Sequence, residues 1–342
     1  MDKNFHLPPD WRMRVVSKAL AETQDWSLAF LGVDKAWVQS KGKNTVVAVL
    51  DTGVDDTHPD LQGAIRNMKD FTGSRFGTKD LVSHGTWCAG MIGARENGSG
   101  SVGIAPLCEL LCGKVLDDSG SGAEQWIQAG ITWADAQGAD IISMSLGGGM
   151  MSPSVRAVIT QFIAKGGKFL FAAAGNEGHL GGQDTVGYPA KWPETIAVAA
   201  VDQLGNMTSF SSNGPEVAIA APGYNMVSTI PMNKGGYGQM SGTSMATPVC
   251  AAVGALCVSK HKAIGSTTPL YTTPEMKEHL KKTAVMIGDT PVISPVGLLD
   301  LDQSAVVNPT PGLSQLLGQA LKLIPGIKVS IPAVLGDTFS VK

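Results

Sequence analysis

Three side chains in this sequence are of the types that together carry out nucleophilic acyl transfer: Ser244, His84 and Asp51. Ser244 lies in GQMSGTSMATPV, where Gly-Thr-Ser opens a run of small apolar residues (MATPVCAAVGALCV) that reads as a helix. A serine in a first helical turn holds its hydroxyl near unsatisfied N–H groups and the positive end of the helix dipole. That field favours the negative charge of an acyl-transfer transition state. The commoner use of such a serine is simply as an N-cap. Pro248 fits a helix beginning near Ser244 if it stands in the first turn, where its missing N–H costs nothing. His84 lies in SHGTWCAGMIGA, again where a loop enters a helix of small residues. Histidine is the usual base for a serine hydroxyl, because its pKa lies near working pH. Asp51 closes the apolar run TVVAVL, where the alternative task for an aspartate is to cap the following turn.

All three positions fall at the ends of regular elements. From about residue 45 to 285, short apolar runs alternate with helical stretches. Strands are predicted at TVVAVLD (45–51), LCELLCGKVL (107–116), DIISMS (140–145), KFLFAAA (168–174) and TIAVAAV (195–201). Helices are predicted over roughly 122–137, 153–165, 243–260 and 274–284. Strands apolar on both faces and separated by helices point to an α/β fold with a parallel sheet covered on both sides. Reactive groups in such sheets gather beyond the carboxyl ends of the strands.

The 342 residues suffice for one large α/β domain or two small ones. With 43% hydrophobic and 16% charged residues the chain is globular rather than disordered. A net charge of −3 and a pI near 6.1 provide no basic surface for a phosphate backbone, so no nucleic-acid partner is expected. No apolar run approaches the roughly 20 residues that span a bilayer, so no membrane partner is expected either. The segment MDKNFHLPPDWRMRVV lacks the apolar core of a secretory signal. A cytoplasmic protein is therefore expected, or a secreted one if a leader has been removed. The five cysteines (Cys88, Cys108, Cys112, Cys250, Cys257) are odd in number and irregular in spacing. Cys108 and Cys112, placed in one strand, would lie about 13 Å apart, too far to bridge. Reduced thiols are expected.

Six segments, in order along the chain, resemble the signature blocks of the subtilase family of serine peptidases. They are DTGVDDTHPDL, HGTWCAGMIGA, SMSLGG (143–148), AAAGNEG (172–178), VGYPAKWPETIAVAAVD (186–202) and SGTSMATP. The likeness covers about residues 24–305, and the order Asp…His…Ser is that of subtilisins, not of chymotrypsin or the α/β-hydrolases. It implies a subtilisin-like three-layer fold, with a central mostly parallel sheet and helices on both faces. It also implies a serine endopeptidase acting through an acyl-enzyme. Ser244 would be the nucleophile, His84 the base and Asp51 its orienting partner, with Asn176 donating to the oxyanion beside the Ser244 N–H. Peptide would bind as an added strand along Ser121–Gly122 and Ser145–Leu146–Gly147. Gly148, Ala173 and Gly187 would line the first specificity pocket, leaving room for a large apolar side chain, while Glu177 at its rim could meet a basic one. Ile127 and Leu146 are candidates for a more distant pocket, or for core packing.

The same likeness implies a structural calcium. Its ligands would be the side chains of Asp60 and Asn97, the carbonyls of Arg95, Ser99 and Ser101, and the amide of Gln24. That is an oxygen cage with a single evident carboxylate. The sequence departs from the common pattern at Trp87 and Cys88, where many members read HGTHVAG, and at Val249 and Cys250, where many read PHVAG. Cys88 stands one helical turn beyond His84 on the same face. Its position resembles that of the thiol-containing subtilases and implies inhibition by mercurials; the alternative is an inert buried thiol.

Residues 1–22 resemble the short proline-bearing extension of intracellular subtilisins. This implies a zymogen in which residues 1–20 lie across the active site, against the alternative of a disordered tail. The peptidase domain is expected over 23–306 and a C-terminal extension of unknown role over 307–342. There GLSQLLGQALKLI has helical apolar spacing, suited to packing on the core or on the second subunit of a homodimer. The expected partners are protein or peptide substrates. A rival reading is a catalytically silent fold that binds peptides. An esterase is disfavoured by the lack of a G-x-S-x-G elbow, and a metallopeptidase by the lack of H-E-x-x-H.

Overall fold

The computed structural model describes residues 5–6, 13–16, 22, 24–180, 184–265 and 271–299. The C-terminal extension expected over 307–342 and the Pro8-Pro9 pair lie outside these residues. Described strands in chain order are β1 (Phe5–His6), β2 (Arg14–Val15), β3 (Val46–Asp51), β4 (Ile65–Asp70), β5 (Glu109–Lys114), β6 (Ser121–Gly122) and β7 (Ile141–Met144). They continue with β8 (Phe169–Ala173), β9 (Ile196–Val201), β10 (Val217–Pro222), β11 (Met226–Thr229), β12 (Tyr237–Met240), β13 (Val285–Ile287) and β14 (Thr290–Val292). The helices are α1 (Trp26–Leu31), α2 (Val33–Trp37), α3 (His84–Gly93), α4 (Glu124–Ala136), α5 (Pro153–Ile163), α6 (Thr243–Ala263), α7 (Thr273–Thr283) and α8 (Pro295–Leu298).

Nine strands form the central sheet in the order β13-β14-β10-β9-β8-β7-β3-β5-β4. Every neighbouring pair is parallel except β13 with β14. The chain passes from β3 towards β5 and β4 on one side, then returns to lay β7, β8, β9 and β10 on the other. The topology therefore reverses at β3, and the crevice beyond its carboxyl end is where such a sheet leaves room for a site.

Alternation along the inner strands sorts their side chains into two apolar layers. Val47 and Val49 of β3 and Phe169 and Phe171 of β8 pack in one layer with α3 and α6. Ala48 and Leu50 of β3, Ile142 and Met144 of β7 and Leu170 of β8 pack in the other with α4 and α5. The result is the three-layer α/β arrangement expected from continuous apolar strands.

Helix α6 is long and apolar enough to cross a bilayer by length and composition, contrary to the expectation that no apolar run approaches that length. Within the fold, 94% of its most apolar window is buried, and a helix apolar on all sides is what a central core position requires. Pro248 stands inside α6, in its second turn rather than its first. Strands β4, β13 and β14, which lie at sheet margins and bury only part of their surface, were not expected from sequence, and neither was β10, which is buried along nearly its whole length but is half alanine and ends in proline. Cys108 precedes β5 rather than sharing it with Cys112, and all five cysteines are buried and free.

Candidate active site

Asp51 is the last residue of β3, His84 the first of α3 and Ser244 the second of α6. All three are nearly or fully buried, at 1%, 0% and 2% exposure. His84 Nδ1 lies 2.8 Å from Asp51 Oδ1 and 3.0 Å from Oδ2. An Nδ1–H donated to the carboxylate leaves Nε2 as the basic nitrogen. Asp51 Oδ1 also accepts the Thr52 N–H at 2.7 Å. Burial opposes the charged imidazolium, but the facing Asp51 carboxylate outweighs it and holds His84 well above the ordinary value of 6.5. Gly85 permits this approach: a Cβ there would lie 2.1 Å from the Gly53 carbonyl oxygen and 3.2 Å from Asp51 Cβ.

Ser244 Oγ donates to the Ser145 carbonyl at 3.1 Å, and Ser145 Oγ donates back to the Ser244 carbonyl at 2.8 Å. The second bond explains Pro248. In a regular helix the N–H of residue 248 would serve the Ser244 carbonyl; proline has none, and the Ser145 hydroxyl takes its place. Asn176, just past β8, accepts the Thr243 N–H at 3.0 Å and the Thr243 hydroxyl at 2.9 Å through Oδ1. With its oxygen so engaged, the amide keeps its Nδ2 donors for other partners.

Of the expected substrate segments, Ser121–Gly122 is the short strand β6, and it is paired. It runs antiparallel to β1, with Phe5 opposite Gly122 and His6 opposite Ser121. Phe5 is fully buried in one apolar cluster with Ile127, Leu146 and Leu116. Ser145–Leu146–Gly147 follows β7. Gly148 exchanges two backbone hydrogen bonds with Tyr188, at 3.0 and 2.9 Å. The Gly187 N–H donates to the Ala174 carbonyl at 2.9 Å. A Cβ on Gly187 would meet the Gly148 and Ala174 carbonyl oxygens at 3.3 and 3.9 Å. Gly148 and Gly187 thus close together beside the end of β8, where Ala173 sits. Glu177 accepts from Ser212 Oγ at 3.0 Å and folds against Gly175, whose own Cβ would fall 2.3 Å from its Oε2.

Of the expected calcium ligands, Asn97 and Ser101 lie against the Asp60 carboxylate. Asp60 is fully buried. Its carboxylate accepts the Ser101 N–H at 2.8 Å, the Tyr237 hydroxyl at 2.9 Å and the Asn97 amide at 3.2 Å. The Asp60 carbonyl accepts the Arg95 N–H at 2.7 Å. The Arg95 guanidinium points elsewhere, to the carbonyls of Gly63 and Cys108 at 2.6 and 2.8 Å. Gln24 is exposed and lines a cavity of about 340 Å³ with Ser101 and Tyr237. Glu22 Oε1 accepts the N–H groups of Asn97 and Gly98, each at 2.9 Å. Glu22 and Tyr237 were missed from sequence, as were Thr52 and the Ser145 hydroxyl. An acid two residues before Gln24 offered a weak signal; Tyr237, far along the chain from Asp60, offered none.

Cys88 Sγ lies 3.9 Å from His84 Nδ1 and 3.8 Å from the Ser244 carbonyl, and burial pushes its thiol up. The ligand atoms of Asp51, His84 and Cys88, all of metal-capable types, lie within 4.8 Å of one another. Trp87 donates its indole N–H to the Gly238 carbonyl of β12 at 2.9 Å, fixing α3 against the strand that leads to Ser244.

The sequence profile of the subtilase family matches residues 42–318. Subtilisin E of Bacillus subtilis strain 168 is 44% identical over 250 residues, which are 73% of this chain and 62% of that protein. Subtilisin of Bacillus pumilus is 44% identical over 250 residues, covering 73% of this chain and 86% of that protein. An intracellular serine protease of Paenibacillus polymyxa is 42% identical over 270 residues, covering 78% and 81%. The match thus spans less than two thirds of subtilisin E and most of the other two. By profile and by identity, the chain belongs to the subtilase family of serine peptidases.

Proposed function

We propose that the chain is a serine endopeptidase that hydrolyses peptide bonds through an acyl-enzyme. The observation that carries the reading is the buried Asp51–His84 contact of 2.8 Å beside a helix-start serine and an oriented amide. Ser244 Oγ swings from the Ser145 carbonyl to His84 Nε2. It adds to the scissile carbonyl carbon as its proton passes to that nitrogen. The oxyanion takes hydrogen bonds from Asn176 Nδ2 and the Ser244 N–H. His84 then gives the proton to the leaving amine, the C–N bond breaks, and an ester remains on Ser244. Water attacks the ester as His84 takes one of its protons. Collapse returns that proton to Ser244 and frees the carboxylic acid.

Peptide binds along Ser121–Gly122 and Ser145–Leu146–Gly147, and the glycine-walled space at Gly148, Ala173 and Gly187 favours a large apolar side chain before the cleaved bond. Glu177 adds tolerance for a basic one. Residues 1–20 act as an intramolecular inhibitor, because Phe5 and His6 occupy the Ser121–Gly122 edge that substrate needs, and Phe5 fills the apolar space beside Ile127 and Leu146. Five free thiols, and the likeness to the intracellular serine protease of Paenibacillus polymyxa, support a reducing cytoplasm as the compartment.

The donors around Asp60 fit a hard cation: one carboxylate, the Asn97 and Gln24 amides, and the carbonyls of Arg95, Ser99 and Ser101. Asn97 would present its oxygen in place of Nδ2. Bound there, calcium would tie the 95–101 loop to Asp60 and stabilise the fold without entering the chemistry.

A fluorophosphonate probe should leave one adduct, on Ser244, lost on heat denaturation and in Ser244→Ala, and deletion of residues 1–20 should speed labelling at least roughly tenfold. No adduct on either form would leave the silent peptide-binding reading standing, and an unchanged rate on deletion would sink the inhibitor. Alkylation of the chain denatured without reductant, before the same mass measurement, should count five thiols. Since the base must be neutral and Asp51 keeps His84 protonated to higher pH, kcat/KM should fall on acidification through a value above 6.5. Asp51→Asn should lower that value and cut kcat by roughly 10⁴-fold; a wild-type acid limb at or below 6.5 would refute the assignment. Excess calcium should raise Tm by several degrees over a chelated sample, and Asp60→Asn should abolish the shift; equal Tm values would remove the site. An aryl mercurial should block probe labelling by displacing His84, and Cys88→Ala should be immune. A sensitive Cys88→Ala would exclude that route.

A further inference from the structure

A buried carboxylate that the mechanism above does not use lies between the two elements that carry Asp51 and His84. Asp80 is 4% exposed and accepts five hydrogen bonds. Its Oδ1 takes the Thr52 hydroxyl at 2.9 Å and the N–H groups of Val82 and Ser83 at 2.9 and 2.7 Å. Its Oδ2 takes the Thr86 N–H at 2.8 Å and the Thr86 hydroxyl at 2.7 Å. One set of donors flanks His84 on both sides in sequence; the other belongs to the residue that follows Asp51.

Helix α3 makes this arrangement necessary. Its N-cap residue, Ser83, makes no side-chain cap bond and adopts a left-handed backbone, φ 81° and ψ −7°. A non-glycine residue in that region is strained. The first-turn N–H groups still need acceptors, and they find them outside the helix. Thr52 Oγ1 accepts the Gly85 N–H at 2.9 Å, and Asp80 accepts that of Thr86. Thr52 thus receives from the His84 helix, donates to Asp80, and through its own N–H binds Asp51 Oδ1 at 2.7 Å. A second tie joins the same two segments: the buried Lys114 ammonium donates to the Thr52 carbonyl and, at 3.3 Å, to the Lys79 carbonyl just before Asp80.

We infer that Asp80 is a positioning residue for the reaction: by holding Thr52 on one side and the Ser83–Thr86 helix start on the other, it sets the distance and angle between Asp51 and His84. The inference rests on the assignment of His84 as general base. Asp80 touches neither substrate nor reacting atoms, so its removal should lower turnover and leave peptide binding intact. Asparagine at this position keeps one acceptor oxygen but turns an NH₂ group towards donors, whichever way it faces.

The test is steady-state kinetics of the full-length chain trimmed of residues 1–20, run well below each variant's Tm. Asp80→Asn should lower kcat by about 10–100-fold, the order of effect found when outer hydrogen-bond partners of metal-ligating histidines are removed, with KM within about threefold. The far-downfield proton resonance of the His84 Nδ1–H should broaden or shift. Thr52→Val should show the same pattern, and the double variant should lose little more than either single one, because both act through one network. Wild-type kcat in a folded Asp80→Asn protein, with only Tm reduced, would overturn the inference. If Asp80→Asn does not fold, Thr52→Val decides: lowered kcat with an unmoved resonance or unchanged kcat overturns it, and lowered kcat with a shifted resonance supports it. An active His84→Ala would overturn the base assignment itself, whereas an inactive His84→Ala beside a fully active Asp80→Asn overturns this inference alone.

Discussion

An ionised carboxylate shut away from water is among the costliest groups a fold can hold, and it is tolerated only when hydrogen bonds or an opposite charge replace its hydration. Asp51, 1% exposed at the end of β3, meets that requirement through His84 and the Thr52 N–H. Much of the local architecture follows from this pairing. The imidazole can reach the carboxylate only if α3 begins at backbone contact with the end of β3, and that contact needs Gly85. The strand must also end where the sheet leaves space beyond it, which the reversal of topology at β3 provides. Direct coupling between the two groups then sets the basicity of the histidine, so one contact links the order of strands to the chemistry.

The elements around the pair are locked by bonds between side chains of one and backbone of another. Ser145 and Ser244 exchange hydroxyl-to-carbonyl bonds across the gap between β7 and α6. Thr243 gives both its N–H and its hydroxyl to Asn176, joining α6 to the turn after β8. Ser228 and Thr229 of β11 donate to the Trp87 and Thr86 carbonyls of α3 at 2.9 and 2.8 Å. The Ser145 hydroxyl serves the carbonyl that Pro248 leaves without a helical partner, and Asn176 serves a first-turn N–H of α6, groups that would otherwise lack a backbone partner. The same bonds define where Ser244, His84 and Asn176 stand relative to one another.

Edges of the smaller sheets are handled differently. Strand β6 and strand β12 each present backbone groups to solvent unless another strand covers them. In this chain the N-terminal segment covers both, with β1 on β6 and β2 on β12. Short, two-residue pairings are easily replaced by another extended peptide, which is the physical basis for reading the segment as a stand-in for substrate.

Much of this was legible in the residues themselves. Continuous apolar runs ending in polar residues predicted β3, β7, β8 and β9 within one or two positions, because a strand buried on both faces leaves a local signature. Asp51, His84 and Ser244 could be nominated because each is a chemistry-bearing side chain at an element end, whereas Asn176 was implied only by the resemblance of AAAGNEG to a subtilase block. The polar margins β4, β13 and β14 left no such pattern, since a strand with one wet face is not obliged to be apolar, and the buried β10 was passed over because its run VAIAAP is half alanine and ends in proline. The roles of Asp80, Thr52, Ser145, Glu22 and Tyr237 were decided by tertiary structure. Their partners lie 28 residues away for Thr52 with Asp80, 99 for Ser145 with Ser244 and 177 for Tyr237 with Asp60. Local spacing reports how a segment folds; which distant acceptor a hydroxyl or a carboxylate meets depends on the order in which strands are laid into the sheet, and that order is set by packing the whole chain at once.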